Sequence, residues 1–268
     1  MIQTPFLARQ EHFAVVASTN DIVRGWLAAG EPEVCLAVAD EQYAGRGRDG
    51  RTWSAPAGRA LLMSLGFRPT WIAPDRVWRL AAVTSLAMAD AAEAVADLPA
   101  GSVRLKWPND LVLDVESVGL RKLAGVLGET DGLGGDDPRA VIGIGINADW
   151  PASEFPHELA DTMTSLHEAS GGRSVDATHL LEAFLSRLET RIDALRAGQF
   201  DAADWLERQL ITGRTIRLVG HGGHEEIIRA LRSDPDSGAL IVADDRAASG
   251  ERAVVSGEIR HVRLDGAV

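Results

Sequence analysis

The sequence predicts an α+β fold: a mostly antiparallel sheet with flanking helices, followed by a small β-barrel. Short apolar runs bounded by Gly, Pro, Asn and Asp recur along the chain, as strands between turns do. Other stretches carry apolar residues at helical spacing, the longest covering 75–98 and 175–197. From Gly213 onward the runs shorten into closely spaced hairpins. With 268 residues, 46% hydrophobic and 25% charged, the chain can form one large domain (1–210) and a small one (211–268).

The first strand is His12-Phe13-Ala14-Val15-Val16. Ser18, Thr19, Asn20 and Asp21 follow, all good helix N-caps, before Ile22, Val23, Trp26 and Leu27 at helical spacing. These polar residues serve either as caps alone or as groups that a strand-to-helix junction aims at a ligand. Residues 34–39 and 60–67 are the next strands. A helix then runs from Pro74-Asp75 to Leu98, stopped by Pro99-Ala100-Gly101, and its Asp90, Glu93 and Asp97 read as a solvated face. Val103 to Trp107 alternates like a strand, turns at Pro108-Asn109-Asp110, and resumes at 111–113.

Residues 121–129 and 140–147 complete the sheet. Gly143 and Gly145 lie two apart, so they share one face and offer either a flat ligand floor or close helix packing. A short helix starts at 164–166, and amphipathic helices cover 175–197 and 200–210. The last strands are 215–219, 226–231, 239–242, 254–255 and 259–264.

Between the strands at 34–39 and 60–67 lies Gly45-Arg46-Gly47-Arg48-Asp49-Gly50-Arg51-Thr52-Trp53, with three arginines and three glycines in seven residues. Glycine lets backbone approach a ligand, and the arginine fork suits phosphate and carboxylate. In a chain of formal net charge -12, such a concentration of cations predicts an anion site. The stretch matches G-x-G-x-x-G, yet Pro56 and Gly58 follow it where a dinucleotide fold needs a helix, so that reading is rejected.

Other classes are excluded by composition. No apolar run approaches the roughly 18 residues a membrane span needs, and the N-terminus lacks signal-peptide regions. These features predict a cytoplasmic protein. The acidic balance, 39 against 27, argues against nucleic acid as a partner. Cys35, the lone cysteine, reads as a buried small hydrophobe, and the His221/His224 pair reads as a hairpin loop without enough metal ligands.

Taken together, Ser18-Thr19-Asn20, the arginine loop from Gln42 to Trp53, Lys106-Trp107-Pro108-Asn109-Asp110, Arg121-Lys122-Leu123-Ala124-Gly125, Gly143-Ile144-Gly145-Ile146-Asn147 and Thr164-Ser165-Leu166 resemble, in order, the motifs of the biotin–protein ligases. The resemblance implies a mixed-sheet catalytic domain of the class II aminoacyl-tRNA synthetase type and an SH3-like barrel. It implies that biotin reacts with ATP, with Mg²⁺ as cofactor, to give biotinyl-5′-AMP and pyrophosphate. The biotinyl group then passes to one lysine of a biotin carboxyl carrier domain of an acyl-CoA carboxylase.

By similarity, Ser18, Thr19, Asn20, Gln42, Gly45, Arg46, Gly47, Arg48, Lys122, Gly143 and Gly145 bind biotin. Arg46, Arg48, Arg51, Trp53, Lys106, Asn109 and Asn147 bind ATP, while Lys122, Arg48 and Arg51 are catalytic. No metal ligand is assigned. The loop should close as a lid over a water-labile anhydride. The longer hairpin at 116–120 departs from shorter family members. Only 17 residues precede Ser18, leaving no room there for the DNA-binding domain of the repressor members, and a weak homodimer is allowed. Alternatives of other kinds are a lipoyl or octanoyl transferase of the same fold, and a biotin-sensing regulator.

Overall fold

The structure, a computed structural model, describes residues 4–115, 119–220 and 223–262. Its first part contains β1 (Arg9–Val16), α1 (Thr19–Ala28), β2 (Cys35–Gln42), β3 (Ala60–Phe67), α2 (Trp78–Ala96), β4 (Arg104–Lys106), β5 (Asp110–Val115), β6 (Gly119–Asp131) and β7 (Arg139–Asn147). Then come α3 (Leu166–Ala169), α4 (Ala177–Arg196) and α5 (Ala202–Glu207). The final strands are β8 (Thr215–Val219), β9 (Glu225–Ser233), β10 (Leu240–Ala243), β11 (Glu251–Val254) and β12 (Glu258–Val262).

The architecture is a mixed α+β fold. A seven-stranded sheet has the order β1-β2-β3-β7-β6-β5-β4, in which only β1 and β2 run parallel. A five-stranded antiparallel sheet follows, ordered β11-β10-β9-β8-β12, and its outer strands β11 and β12 do not pair among the described residues. Of the 116–120 insertion, 116–118 lie outside the described residues, as do His221 and residues 263–264 of the last expected strand.

Helix α2 begins three residues after the sequence signal because Pro74–Arg76 forms a separate 3₁₀ turn. Its alanines let it lie close to the sheet, with Leu80, Leu86 and Met88 fully buried beside α4 residues such as Phe184 and Leu188. Helix α4 starts where the Asp176 carboxylate accepts from the Thr178 N–H, and α5 where Asp201 accepts from Asp204 N–H. Helix α1 covers the opposite face of the sheet, against β2, β3 and β7.

One expectation is corrected. Asp90 and Glu93 are not a solvated face: Glu93 is buried and accepts from Arg208 at 2.6 Å, while Asp90 meets Arg191 at 2.6 Å and Arg208 at 2.5 Å. These pairs fasten α2 to α4 and α5, and the chain passes from Arg208 through the backbone bonds Leu105 N–H to Arg208 O and Leu210 N–H to Leu105 O into the second sheet. Asp97 alone of the three is solvated.

Candidate functional site

The site lies on the α1 face, beside the ends of β1 and β2 and over the middle of β3, β6 and β7, and the arginine loop folds back across it. Gln42 at the end of β2 turns the chain into this loop. The loop is a tight hairpin: Gly47 N–H donates to Arg51 O at 2.7 Å, Trp53 N–H to Gly45 O at 2.9 Å, and Arg46 bridges Thr52. Gly45 permits the hairpin, since a Cβ there would stand 2.4 Å from Trp53 O. A single 3₁₀ turn at Arg48–Gly50 replaces the helix a dinucleotide fold would need.

Beneath the hairpin is a cavity of about 120 Å³. Its polar end is built by α1. Ser18 occupies the N-cap position, but its side chain caps nothing. Thr19 N–H donates to Gln42 Oε1 at 2.7 Å, the Thr19 and Ser64 hydroxyls lie 2.7 Å apart, and Ser64 donates to Asn20 Oδ1 at 2.5 Å. Asn20 Nδ2 then donates to Glu129 at 2.6 Å, and Arg46 and Arg24 close on the same carboxylate. The chain of bonds fixes each amide and hydroxyl in one orientation, which preorganises the pocket's polar wall. Arg46 also forks onto Asp21 with two bonds of 2.8 Å, and this guanidinium holds the Asp21 carboxyl below its ordinary value.

The floor is glycine. Gly125 and Gly145 pair across β6 and β7, and the Trp53 ring lies on both: a Cβ on Gly145 would stand 2.4 Å from the indole, and one on Gly125 3.0 Å. Gly143 is approached by Asn20 instead, so the strand glycines admit both a close helix contact and the Trp53 ring against the sheet. Trp53 Nε1 is buried without a hydrogen-bond partner, which leaves a donor for a ligand.

The other end is cationic. Lys122 Nζ is 2.6 Å from Asp110 and 5.4 Å from the centre of the Trp53 ring, and Lys106 Nζ is 3.8 Å from Asp110. Burial lowers the Lys106 ammonium below the ordinary lysine value against the opposing pull of Asp110. Arg48 reaches Ser256 at 3.3 Å and Arg51 pairs with Glu258, so the turn before β12 meets the arginine hairpin over the cavity. Four cations thus surround this end of the cavity with Asp49, Asp110 and Glu258 among them, an excess of positive charge that can stabilise an anion as its charge develops.

Every residue expected at the site lines this cavity except Gly45 and Asn147. Gly45 shapes the hairpin, and Asn147 is buried with its amide donated to Thr164 O at 2.8 Å, a bond that ties β7 to the α3 approach. Asn109 lines the cavity while its amide donates to Val126 O at 2.9 Å. Asp110, Glu129, Ser64 and Glu258, which hold these side chains in place, have no separate role in the motifs. Asp110 ends the run Lys106-Trp107-Pro108-Asn109-Asp110, and Ser64 is a lone hydroxyl within an apolar strand; both are readable signals. Glu258 had none, being brought in by the second sheet.

A model of the biotin/lipoate A/B protein ligase family matches residues 12–147. The chain is 31% identical to the biotin–[acetyl-CoA-carboxylase] ligase of Mycobacterium tuberculosis over 93% of its own length and 88% of that protein's. It is 33% identical over 66% of its length to the bifunctional ligase/repressor of Bacillus spizizenii, spanning about half (51%) of that relative. The biotin protein ligase of Aquifex aeolicus, solved in complex with biotin and ATP, superposes with a TM-score of 0.73 at 26% identity, covering 97% of this chain and 99% of the other.

Proposed function

Because the chain belongs to the biotin/lipoate A/B protein ligase family, we propose that it is an ATP-dependent biotin ligase. It activates biotin as biotinyl-5′-AMP and transfers the biotinyl group to a lysine of a carboxylase's carrier domain. The observation that carries the reading is the joining of two unlike ends in one cavity: a hydrogen-bonded amide and hydroxyl wall, and a cluster of four cations.

In this reading the wall of Ser18, Thr19, Asn20 and Gln42 holds the ureido ring, which offers two donors and one acceptor. Gly143 and Gly145 let Asn20 and the Trp53 ring lie close against the sheet, which leaves the space above them for the bicycle and its chain. The chain leads the carboxylate toward Lys122 and Arg48. Attack on the α-phosphorus joins a carboxylate oxygen to phosphorus as pyrophosphate leaves. Bringing two anions to ~4 Å costs on the order of 4 kcal/mol at a surface-like dielectric. Lys106, Lys122, Arg48 and Arg51 offset that repulsion and the charge on the departing oxygens. The Trp53 indole and the hairpin above it exclude water from the anhydride.

In the second step the neutral amine of the acceptor lysine attacks the acyl carbon, a C–N bond forms, and AMP leaves with the C–O electron pair. The amine's proton needs a base, and Asp110, between Lys106 and Lys122, is the carboxylate nearest those two lysines. Lys122 holds Asp110 in the resting state, and its move to phosphate would release that carboxylate to accept the proton. Mg²⁺ supplies charge neutralisation on the nucleotide. Among the described residues no cluster of three or more acidic, His or Cys side chains forms a cage for it.

The same reading takes the five short strands of residues 211–268 as an SH3-like barrel appended to a class II synthetase-like domain of residues 1–210. It takes the protein as cytoplasmic, without nucleic-acid partners, and capable of weak dimerisation. No helix among the described residues is long and apolar enough to cross a membrane. Cysteine-dependent octanoyl transfer is disfavoured: Cys35 is buried, and burial pushes its thiol up to about 11, far from a thiolate nucleophile. The test is incubation with ATP, Mg²⁺, biotin and an apo carrier domain, followed by a probe for covalent biotin. Label that appears without ATP, or never appears, would overturn the proposal.

A further inference from the structure

A second and larger cavity, about 490 Å³, opens on the reverse face of the sheet, between α2 and the second sheet. It exists because β6 outruns β5. The register pairs Asp110, the first residue of β5, with Gly125, and Val126 still bonds Asn109, so residues 127–131 of β6 pair only on the β7 side. The first turns of α2 roof this gap with Trp78, Ala81 and Ser85, and Trp205 and the turn at Ser237–Ala239 close its far side.

The cleft is mostly apolar. The indole N–H groups of Trp78 and Trp107 are already donated to the carbonyls of Asp236 and Gly238, so these rings present carbon to the space. One polar atom stands out. Gln209, only 5% exposed, lines the cleft, and its Oε1 is buried without a hydrogen-bond partner. A buried acceptor left unpaired is unfavourable, and a ligand that brings an N–H relieves it. At its inner end the cleft shares Arg48, Lys106, Asn109 and Asp110 with the reaction cavity, so these side chains stand between the two spaces.

We propose that this cleft receives the acceptor protein, a lysine-bearing turn with apolar flanking side chains, and that Gln209 reads one of its N–H groups. The inference rests on the ligase reading. The small cavity is roofed by the arginine hairpin and the turn before β12, which leaves the acceptor another direction of approach to the acyl carbon. The charges on the route suit an ammonium side chain, with Asp75 at the outer wall and Asp110 at the inner end; Lys106 and Arg48 line it as well and favour the amine losing its proton before it arrives. A lysine stem is a four-carbon apolar chain, matched to the lining of Trp78, Ala81 and Trp205.

The test separates the two half-reactions. Ala81→Trp fills the cleft from a partly exposed helix position, and Gln209→Leu removes the acceptor without adding bulk. Pyrophosphate release with biotin and ATP, trapped with hydroxylamine as a small nucleophile, reports adenylate formation. Transfer to an apo carrier domain reports docking. Ala81→Trp is expected to keep adenylate formation within about twofold and to lower kcat/KM for the carrier tenfold or more through KM, and Gln209→Leu to raise that KM severalfold. Wild-type transfer by both variants, or equal losses in both half-reactions of Gln209→Leu, would overturn the proposal. If Ala81→Trp fails to form adenylate, Gln209→Leu decides. Absence of adenylate from the unaltered protein would instead overturn the ligase reading, so the two failures are told apart.

Discussion

Replacing Gly143 with alanine should break the polar wall of the cavity by a calculable route. The added Cβ would stand 2.2 Å from Asn20 Oδ1 and 3.1 Å from its Cγ, with β7 held between β3 and β6 on either side. Asn20 must therefore retreat by about 1 Å, more than a hydrogen bond of 2.5 Å from Ser64 or 2.6 Å to Glu129 can absorb. Losing the neutral bond costs about 1 kcal/mol, and losing the bond to the carboxylate about 1.5–3. The lower chain entropy of alanine returns about 0.5–1. The expected net destabilisation is about 2–3 kcal/mol, measured by urea denaturation, together with weaker biotin binding by calorimetry. A double-mutant cycle isolates the cause. In an Asn20→Ala background the clash has no target, so Gly143→Ala should become nearly neutral, giving a coupling of about 2 kcal/mol. Additive effects within about 0.5 kcal/mol would refute the account, because Asn20 would then not be what the Cβ meets.

The cationic end gives three further expectations. Lys122→Ala should suppress adenylate formation on the order of 100-fold, the scale of losing one transition-state contact, while the melting temperature holds; unchanged pyrophosphate release would remove Lys122 from the reaction. Glu258→Gln should free Arg51 for phosphate and lower the KM for ATP by roughly 1.5–5-fold, the worth of a solvent-accessible ion pair, with the gain vanishing at high salt; a raised KM would show that Glu258 helps to build the nucleotide site. Lys106 has a folded-state value below the unfolded lysine value, so the unfolded chain binds more protons between the two, and stability should rise with pH up to about 10.5 through this group. Lys106→Met should flatten that rise in alkaline melts, and a slope equal to that of the unaltered protein would assign it to other groups.

Much of this architecture could be read locally, because strand period, turn residues and helix caps act over a few positions. The positions of most strands along the chain, the shared face of Gly143 and Gly145 and the cationic loop all followed from such patterns. Asp90 and Glu93 show where local reading ends. Charges at helical spacing look the same whether water or a guanidinium faces them, and here the partners, Arg191 and Arg208, lie about a hundred residues further on. Asn147 shows the related point that an amide at a motif's end can also serve the backbone, as it does on Thr164 O.

The arginine hairpin makes the same point about function. Composition alone marked it as an anion site, yet each arginine already holds a resting partner: Arg46 has Asp21 and Glu129, Arg48 has Ser256, and Arg51 has Glu258. Two of these partners come from the second sheet. Substrate phosphate must therefore compete with the protein's own carboxylate for Arg51, and releasing that pair loosens the hairpin from the turn before β12. The same carboxylate that steadies the resting hairpin thus links phosphate binding to the position of the second sheet, whose Ser237–Ala239 turn walls the acceptor cleft. Coupling of this kind predicts an order. Nucleotide should tighten carrier binding in the unaltered protein, and that effect should shrink in Glu258→Gln, where no pair remains to be broken. Titration of an apo carrier domain whose acceptor lysine is replaced by arginine, with and without biotin and ATP, measures the coupling directly. Equal coupling in both proteins would mean that the two sites communicate by another route or not at all.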